Sequence, residues 1–226
     1  TEKVTVKPTG FVKKINSGPS TKDLSLYIEE IKKSKNPIVI IGGSVWSEDA
    51  AINLEKVSEI LNIPIYTSHR RQSYFNNFHK NYAGDLGLAV NPRIIKSIKD
   101  SDFITIIGGR LSENPSQAFT LLGIPEHNSK LAHIHPSPEE IGKVYKPDIG
   151  IVSSPIVFVE TLKMTLQSFN QSFFKETNDY QKIYQDWINE NLTSPNSGVE
   201  QVFLPNIGGP RTTKSGSPRA TANTCV

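Results

Sequence analysis

Residues 103 to 119 read FITIIGGRLSENPSQAF, and the first seven of them decide the architecture. Phe103 to Ile107 form an apolar run without alternation, the pattern of a strand covered on both faces. The run stops at Gly108-Gly109, and Arg110 follows at once. The same grammar stands upstream, where Ile38 to Ile41 end at Gly42-Gly43. Around these two runs helices and strands alternate. A capped helix begins near Ser20 or Thr21 and places Leu24, Tyr27, Ile28 and Ile31 at helical spacing. A second helix, SEDAAINLEKVSEILN, leads to the strand IPIYTS, and a short basic helix, NPRIIKSIKDSD, leads into FITIIGG. KLAHIHP is a fourth strand, SPEEIGKVY a turn of helix, DIGIVSS a fifth strand and PIVFVETLKMTLQSF a closing helix. The alternation predicts an α/β fold: an open, mostly parallel, Rossmann-like sheet of five or six strands with helices on both faces.

Composition narrows the functional classes. The 226 residues carry 25 Lys and Arg against 22 Asp and Glu, a formal net charge of +3, and the basic residues are scattered among acids. That balance points away from nucleic acid and from an anionic membrane surface. No apolar run approaches the roughly 18 to 20 residues that span a bilayer, and the N-terminus lacks the apolar core of a signal peptide. The single cysteine, Cys225, allows no disulfide within one chain, which fits a reducing, cytoplasmic setting. The chain starts without methionine in an extended Pro- and Lys-containing segment and reads as a piece of a longer protein.

In open α/β sheets ligands bind outside the carboxyl ends of the strands. Both glycine pairs fall on that edge. Glycine permits close backbone approach and φ above zero, free N–H groups near the helix starting at Ser47 favour an anion, and Arg110 offers paired donors to a phosphate. The other reading is architectural, each pair only turning the chain tightly to pack a helix. No G-x-G-x-x-G occurs, and Thr67-Ser68-His69 stand where a dinucleotide-binding strand would end in an acid, so a nicotinamide-dependent dehydrogenase is disfavoured. Residues 66 to 88, with His69, Arg70, Arg71, His79, Lys80, Tyr74, Phe75 and Tyr82, read as a long loop from a strand end that lines a ligand cleft or a subunit contact. Their irregular spacing argues against a single-stranded nucleic-acid platform.

Taken together, NPIVIIGGS, IPIYTSHRRQ, NYAGDLGL, DFITIIGGRLSE, LAHIHPSPEEIGKVYKPDIGIVSS and PIVFVETL, in that order and at those spacings, resemble the central domain of thiamine-diphosphate-dependent enzymes of the acetolactate synthase type, over about residues 8 to 165. The resemblance implies a parent of three α/β domains, in which thiamine diphosphate and magnesium are held by a pyrimidine-binding and a diphosphate-binding domain flanking this one. The G-D-G and N-N magnesium motif is not in this sequence. The implied parent is a homo-oligomer that decarboxylates or carboligates a 2-keto acid, and this chain alone is expected to carry no catalytic residue and no metal site.

The central domain of that family binds FAD in acetolactate synthases and an ADP moiety in certain CoA-handling relatives. Matching positions here are Gly42, Gly43, Gly108, Gly109, Arg110, His135 and Ser137, with the strand from His133 onward. Where the flavin-binding relatives show aspartates, this chain has His135, Pro136 and Ser137, and Pro136 has no N–H. The expectation is therefore a degenerate or vestigial FAD or ADP pocket in a domain with a structural and subunit-contact role. A stand-alone nucleotide-binding module is the alternative.

The other singular residues read blandly. His133 and His135 share a strand face at i and i+2, but no third metal ligand accompanies them. Ser112 and Glu113 have no histidine in a defined relation to them. The chain divides into a linker over 1–20, the central domain over 21–168, a helical linker over 169–204 with Tyr180, Tyr184 and Trp187 on an exposed aromatic face, and a disordered tail over 205–226.

Overall fold

A computed structural model describes residue 10 and residues 15–88, 90–168 and 180–192. The expectations for the first residues, for 169–179 and for the tail lie outside these. Helix α1 (Thr21–Lys33) starts where Ser20 accepts a hydrogen bond from the Asp23 N–H at 3.1 Å, and Asp23 sits in the first turn where a carboxylate favours the helix dipole. Its stripe of Leu24, Tyr27, Ile28 and Ile31 is buried. Strand β1 (Pro37–Ile41) follows, then α2 (Glu48–Leu61), capped by Ser47 and closed by Asn62 in the left-handed region at φ 52°. Beyond it come β2 (Ile65–Ser68), β3 (Tyr82–Leu86), α3 (Pro92–Lys99), β4 (Phe103–Ile107), β5 (Lys130–His135), β6 (Ile149–Val152), α4 (Pro155–Gln167) and α5 (Tyr180–Leu192).

Six strands form one sheet in the order β3-β2-β1-β4-β5-β6, every pairing parallel. The central pair β1 and β4 runs in continuous register from Pro37 opposite Phe103 to Ile41 opposite Ile107. Both strands are buried along their whole length, as their unbroken apolar runs require. The order reverses between β1 and β4, since the chain winds outward from β1 to β3 and then from β4 to β6. That reversal opens a crevice at the carboxyl ends of these two strands.

Alternate residues build two cores. On one face Val39, Ile41, Ile65, Phe103, Ile107 and Ile134 pack against α1, α2 and α4, with Phe158 fully buried. Tyr27 lies within this core, edge-on to Phe103 and Phe158, and its hydroxyl meets Thr105 Oγ1 at 3.2 Å. Burial pushes that phenol up to about 12, so it stays protonated and hydrogen-bonded. On the other face Ile38, Ile40, Tyr66, Ile104, Ile106 and Leu131 pack against Ile94 and Ile98 of α3 and against Leu111, Leu121, Leu122 and Tyr145 from irregular segments.

Two expectations need correction. The segment read as one long loop over 66–88 contains a short 3-10 turn (Gln72–Tyr74) and the edge strand β3. β3 escaped notice because Gly84 and Asp85 are poor strand formers and its register with β2 slips between Ile65 and Tyr66. Gly84 is required there: at φ +111°, a Cβ would stand 2.6 Å from Ile94 Cδ1 and 2.8 Å from the Tyr184 ring. The second correction concerns α5. Its aromatic face is not left open at Tyr184, which packs edge-on to Tyr82 at 5.3 Å and donates to Asp85 Oδ1 at 3.2 Å. The helix therefore covers the β3 edge, a strand edge that would otherwise offer unpaired backbone groups.

Candidate functional site

The crevice at the switch point is a cleft of about 410 Å³, within the range of small-molecule sites. Its floor is a crossing of the two glycine turns. Gly43 has φ +79°, and a Cβ on it would come within 1.9 Å of the Gly108 carbonyl oxygen. Gly108 has φ +73° and would meet Pro155 Cγ at 2.6 Å and the Gly42 oxygen at 2.8 Å, while a Cβ on Gly109 would meet Gly42 Cα at 3.2 Å. Backbone thus lies on backbone, and side chains are excluded at this crossing. These distances alone require glycine at the crossing, whether or not a ligand binds above it.

Around the first turn the protein spends its own donors. Trp46 Nε1 donates to the Gly42 carbonyl at 2.7 Å. The Gly43 carbonyl accepts from Arg71 Nε and from the Tyr74 hydroxyl, the latter at 3.2 Å. Trp46 and Tyr74 stack at 5.7 Å, and the Arg71 guanidinium lies 5.6 Å from the Tyr74 ring. The basic and aromatic residues of the segment after β2 therefore clamp the β1 turn. Ser68, His69 and Arg71 also line the cleft.

The second turn is treated differently. His133 Nε2 meets the Gly109 carbonyl at 2.9 Å, and since a carbonyl only accepts, this nitrogen carries the proton. Burial holds the His133 imidazole below the ordinary 6.5, with the neighbouring His135 acting in the same direction and the Gly109 hydrogen bond and Glu140 opposing it. His133 is therefore a neutral buried donor that holds the turn. His135, 5.8 Å from it on the same strand face, points to the cleft, and its Nδ1 lies 3.1 Å from both the N–H and the carbonyl of Ser137. Among the described residues no group of three or more His, Cys, Asp or Glu side chains could hold a metal ion.

Arg110 is 60% exposed at the cleft wall, and its Nη1 lies 3.6 Å from Glu140 Oε1. Glu140 stands at the end of a 3-10 turn (Pro138–Glu140) and also holds Lys143 Nζ at 3.3 Å. Partial burial works against its ionisation, but Lys143, Arg110 and His135 outweigh that and keep the carboxyl below the usual range.

Of the residues singled out from sequence, Gly43, Gly108, Gly109, Arg110, His135 and Ser137 all line this one cleft, and Gly42 lies beneath it in the crossing. The sequence reading missed Glu140. It stands in the stretch LAHIHPSPEEIGKVYKPDIGIVSS that carries the family resemblance, but without the fold an acidic residue a few positions beyond the β5 terminus looks like an exposed helix start and not a cleft residue.

Comparison with known proteins agrees with the geometry. Residues 24–162 match the family model described as thiamine pyrophosphate enzyme, central domain. A probable acetolactate synthase large subunit from Methanococcus aeolicus is 30% identical over 188 residues, 81% of this chain and 30% of that protein. A 3D-(3,5/4)-trihydroxycyclohexane-1,2-dione hydrolase from Listeria monocytogenes is 30% identical over 192 residues, 84% of this chain and 28% of that one. The crystal structure of benzoylformate decarboxylase from Polynucleobacter necessarius superposes with a TM-score of 0.55 at 19% identity, covering 78% of this chain and 32% of that chain, which supports the fold. The chain thus spans under a third of the length of these proteins.

Proposed function

Because the chain belongs to the thiamine pyrophosphate enzyme central-domain family, we propose that it serves as the middle domain of a thiamine-diphosphate-dependent enzyme that decarboxylates or carboligates a 2-keto acid. The observation that carries this reading is the continuous match of residues 24–162 to that domain type, which coincides with the six-stranded sheet. The described residues offer no set suited to a metal ion, and the cleft is built on a backbone crossing with one exposed guanidinium. On this reading thiamine diphosphate and magnesium are held by pyrimidine-binding and diphosphate-binding domains outside these residues. The present domain spaces those domains and contributes subunit contacts in a homo-oligomer. A cytoplasmic setting fits the single Cys225.

An antibody against the domain tests this directly by isolating the protein that carries it. Material that contains thiamine diphosphate and releases CO2 from 2-keto acids only in its presence supports the reading. Material that has neither property overturns it.

One observation favours a second role for the same domain. The cleft volume and the exposed Arg110 suit the diphosphate of an ADP moiety, whether free or as part of FAD. The acceptors for ribose and adenine are poorer: Pro136 and Ser137 line that wall, and His135 Nδ1 already lies within reach of Ser137. Thermal melting with FAD, ADP, NAD and thiamine diphosphate separates the two roles, because a ligand of the folded state raises the melting temperature with concentration. Stabilisation by ADP or FAD that is lost in Arg110→Ala supports a nucleotide role. Stabilisation that survives this substitution places the ligand elsewhere, and none at all leaves the domain a spacer.

A further inference from the structure

The cleft contains its own competitor for the anion. Arg110 reaches toward the cleft with its guanidinium, yet the nearest charged group to it is a carboxylate of the same chain, Glu140 Oε1 at 3.6 Å. Arg110 is 60% exposed and Glu140 only 19%, so the carboxylate is the fixed partner and the guanidinium the movable one. Three features hold Glu140 in place. It ends the 3-10 turn that begins directly after Ser137, its other interaction is with Lys143 at 3.3 Å, and the turn is closed by the Ile141 N–H donating to the Pro138 carbonyl at 3.2 Å. Glu140 also lines the cleft itself. Any phosphate that reaches Arg110 therefore arrives beside a fixed negative charge and draws the guanidinium away from it.

We propose that Glu140 is the specificity-determining residue of this cleft, an internal carboxylate that occupies Arg110 and sets how strongly the cleft takes a phosphate-bearing ligand. The proposal rests on the reading of the cleft as a nucleotide site and deepens it. The mechanism is Coulombic, so it scales with the charge of the ligand. A nucleoside without phosphate does not notice Glu140, a monophosphate is weakened by it and a diphosphate is weakened most. In exchange the domain gains a cleft that stays empty of small ambient anions. The charged and titratable groups acting on Glu140 are Lys143, Arg110 and His135, and the carboxylate of the adjacent Glu139 is taken up by the Ser137 hydroxyl.

The test is a charge ladder. Adenosine, AMP and ADP are titrated by isothermal calorimetry into the 226-residue chain, Glu140→Gln and Arg110→Ala. Exposed pairs of this kind are weak, so removing the carboxylate is expected to tighten ADP by about two- to fivefold. AMP tightens less, adenosine is unchanged, and Arg110→Ala loses the ADP response. ADP binding that is lost in Arg110→Ala but equal in wild type and Glu140→Gln overturns the proposal while leaving the nucleotide reading intact. Equal gains for adenosine and ADP also overturn it, since a reshaped pocket and not charge would then be responsible. The absence of saturable ADP binding in both wild type and a folded Glu140→Gln refutes the nucleotide reading and the proposal with it. If Glu140→Gln does not fold, Glu140→Asp, which draws the carboxylate back by one methylene, is expected to move ADP affinity in the same direction by a smaller factor.

Discussion

The two glycine turns are nearly the same in sequence, IGGS and IGGR, and the protein uses them in opposite ways. At Gly42-Gly43 the carbonyls are consumed internally by Trp46, Arg71 and Tyr74, and the aromatic stack closes the outside. At Gly108-Gly109 the donor to the turn's carbonyls among the described residues is the neutral His133 beneath, and the next residue carries its charge into the cleft. The first turn is a joint and the second a joint with a free arm. A glycine pair after a buried strand is therefore not evidence for a ligand by itself. What distinguishes the two is where their carbonyl partners come from and whether a charge is left facing solvent.

The harshest way to break this comparison is Gly43→Ala. The new Cβ would lie 1.9 Å from the Gly108 oxygen, against backbone that has no room to yield, at a φ of +79° that L residues rarely adopt. We expect a loss of at least about 3 kcal/mol, read as a fall in the denaturant midpoint or as failure to accumulate folded protein. Gly42→Ala, whose Cβ would sit 3.1 Å from Gly109 Cα and the Ser68 Cβ, asks for a shift of tenths of an ångström and costs less. A Gly43→Ala protein that melts with wild type would show that the crossing is not tight, and the distinction between joint and arm would collapse.

The legibility of the molecule follows the same division. Strands buried on both faces announce themselves as apolar runs, so β1 and β4 and the glycines that end them were readable, as were α1, with its cap at Ser20, and α2. β3 was not, because an edge strand with Gly84 in an unusual conformation is stabilised by Tyr184 and Ile94 from distant parts of the chain, and local sequence holds no trace of that. The site divides likewise. Arg110 and the glycines are adjacent in sequence to the strand that places them. Glu140 belongs to the stretch that carries the family resemblance, but that it meets Arg110 at the cleft depends on how the turn after β5 packs, a tertiary fact that spacing does not encode.

A smaller effect is expected at the donor beneath the second turn. His133→Phe keeps the ring volume and leaves the Gly109 carbonyl without its partner, at a cost of about 1 to 2 kcal/mol. The pH dependence has a definite sign. Burial holds the folded-state pKa of His133 below 6.5, so its contribution is fully present above about 6.5 and is lost as pH falls through the folded value. The stability difference between wild type and His133→Phe should therefore be level from pH 8 down to about 6.5 and shrink below that. A difference that grows on acidification would mean that the imidazolium is the bonded form, and the turn would be held by charge.

The smallest expected effect is the sharpest for the comparison. Arg110 makes one long ion pair, at 3.6 Å, and is mostly in solvent, so Arg110→Ala should change the ligand-free stability by less than about 0.5 kcal/mol. Arg71 is the contrast: its Nε is bound to the Gly43 carbonyl, and its guanidinium packs near Tyr74. Arg71→Ala removes a charge-assisted hydrogen bond to a half-buried carbonyl, and about 1.5 to 3 kcal/mol is expected. The two arginines line the same cleft, and measured side by side in urea they report what each is for. If both substitutions cost the same, Arg110 is a structural residue like Arg71, and the cleft has no arm to offer an anion. If Arg110→Ala is silent without ligand, the exposed guanidinium contributes nothing measurable to the fold, and any change in ADP binding on its removal belongs to the ligand alone.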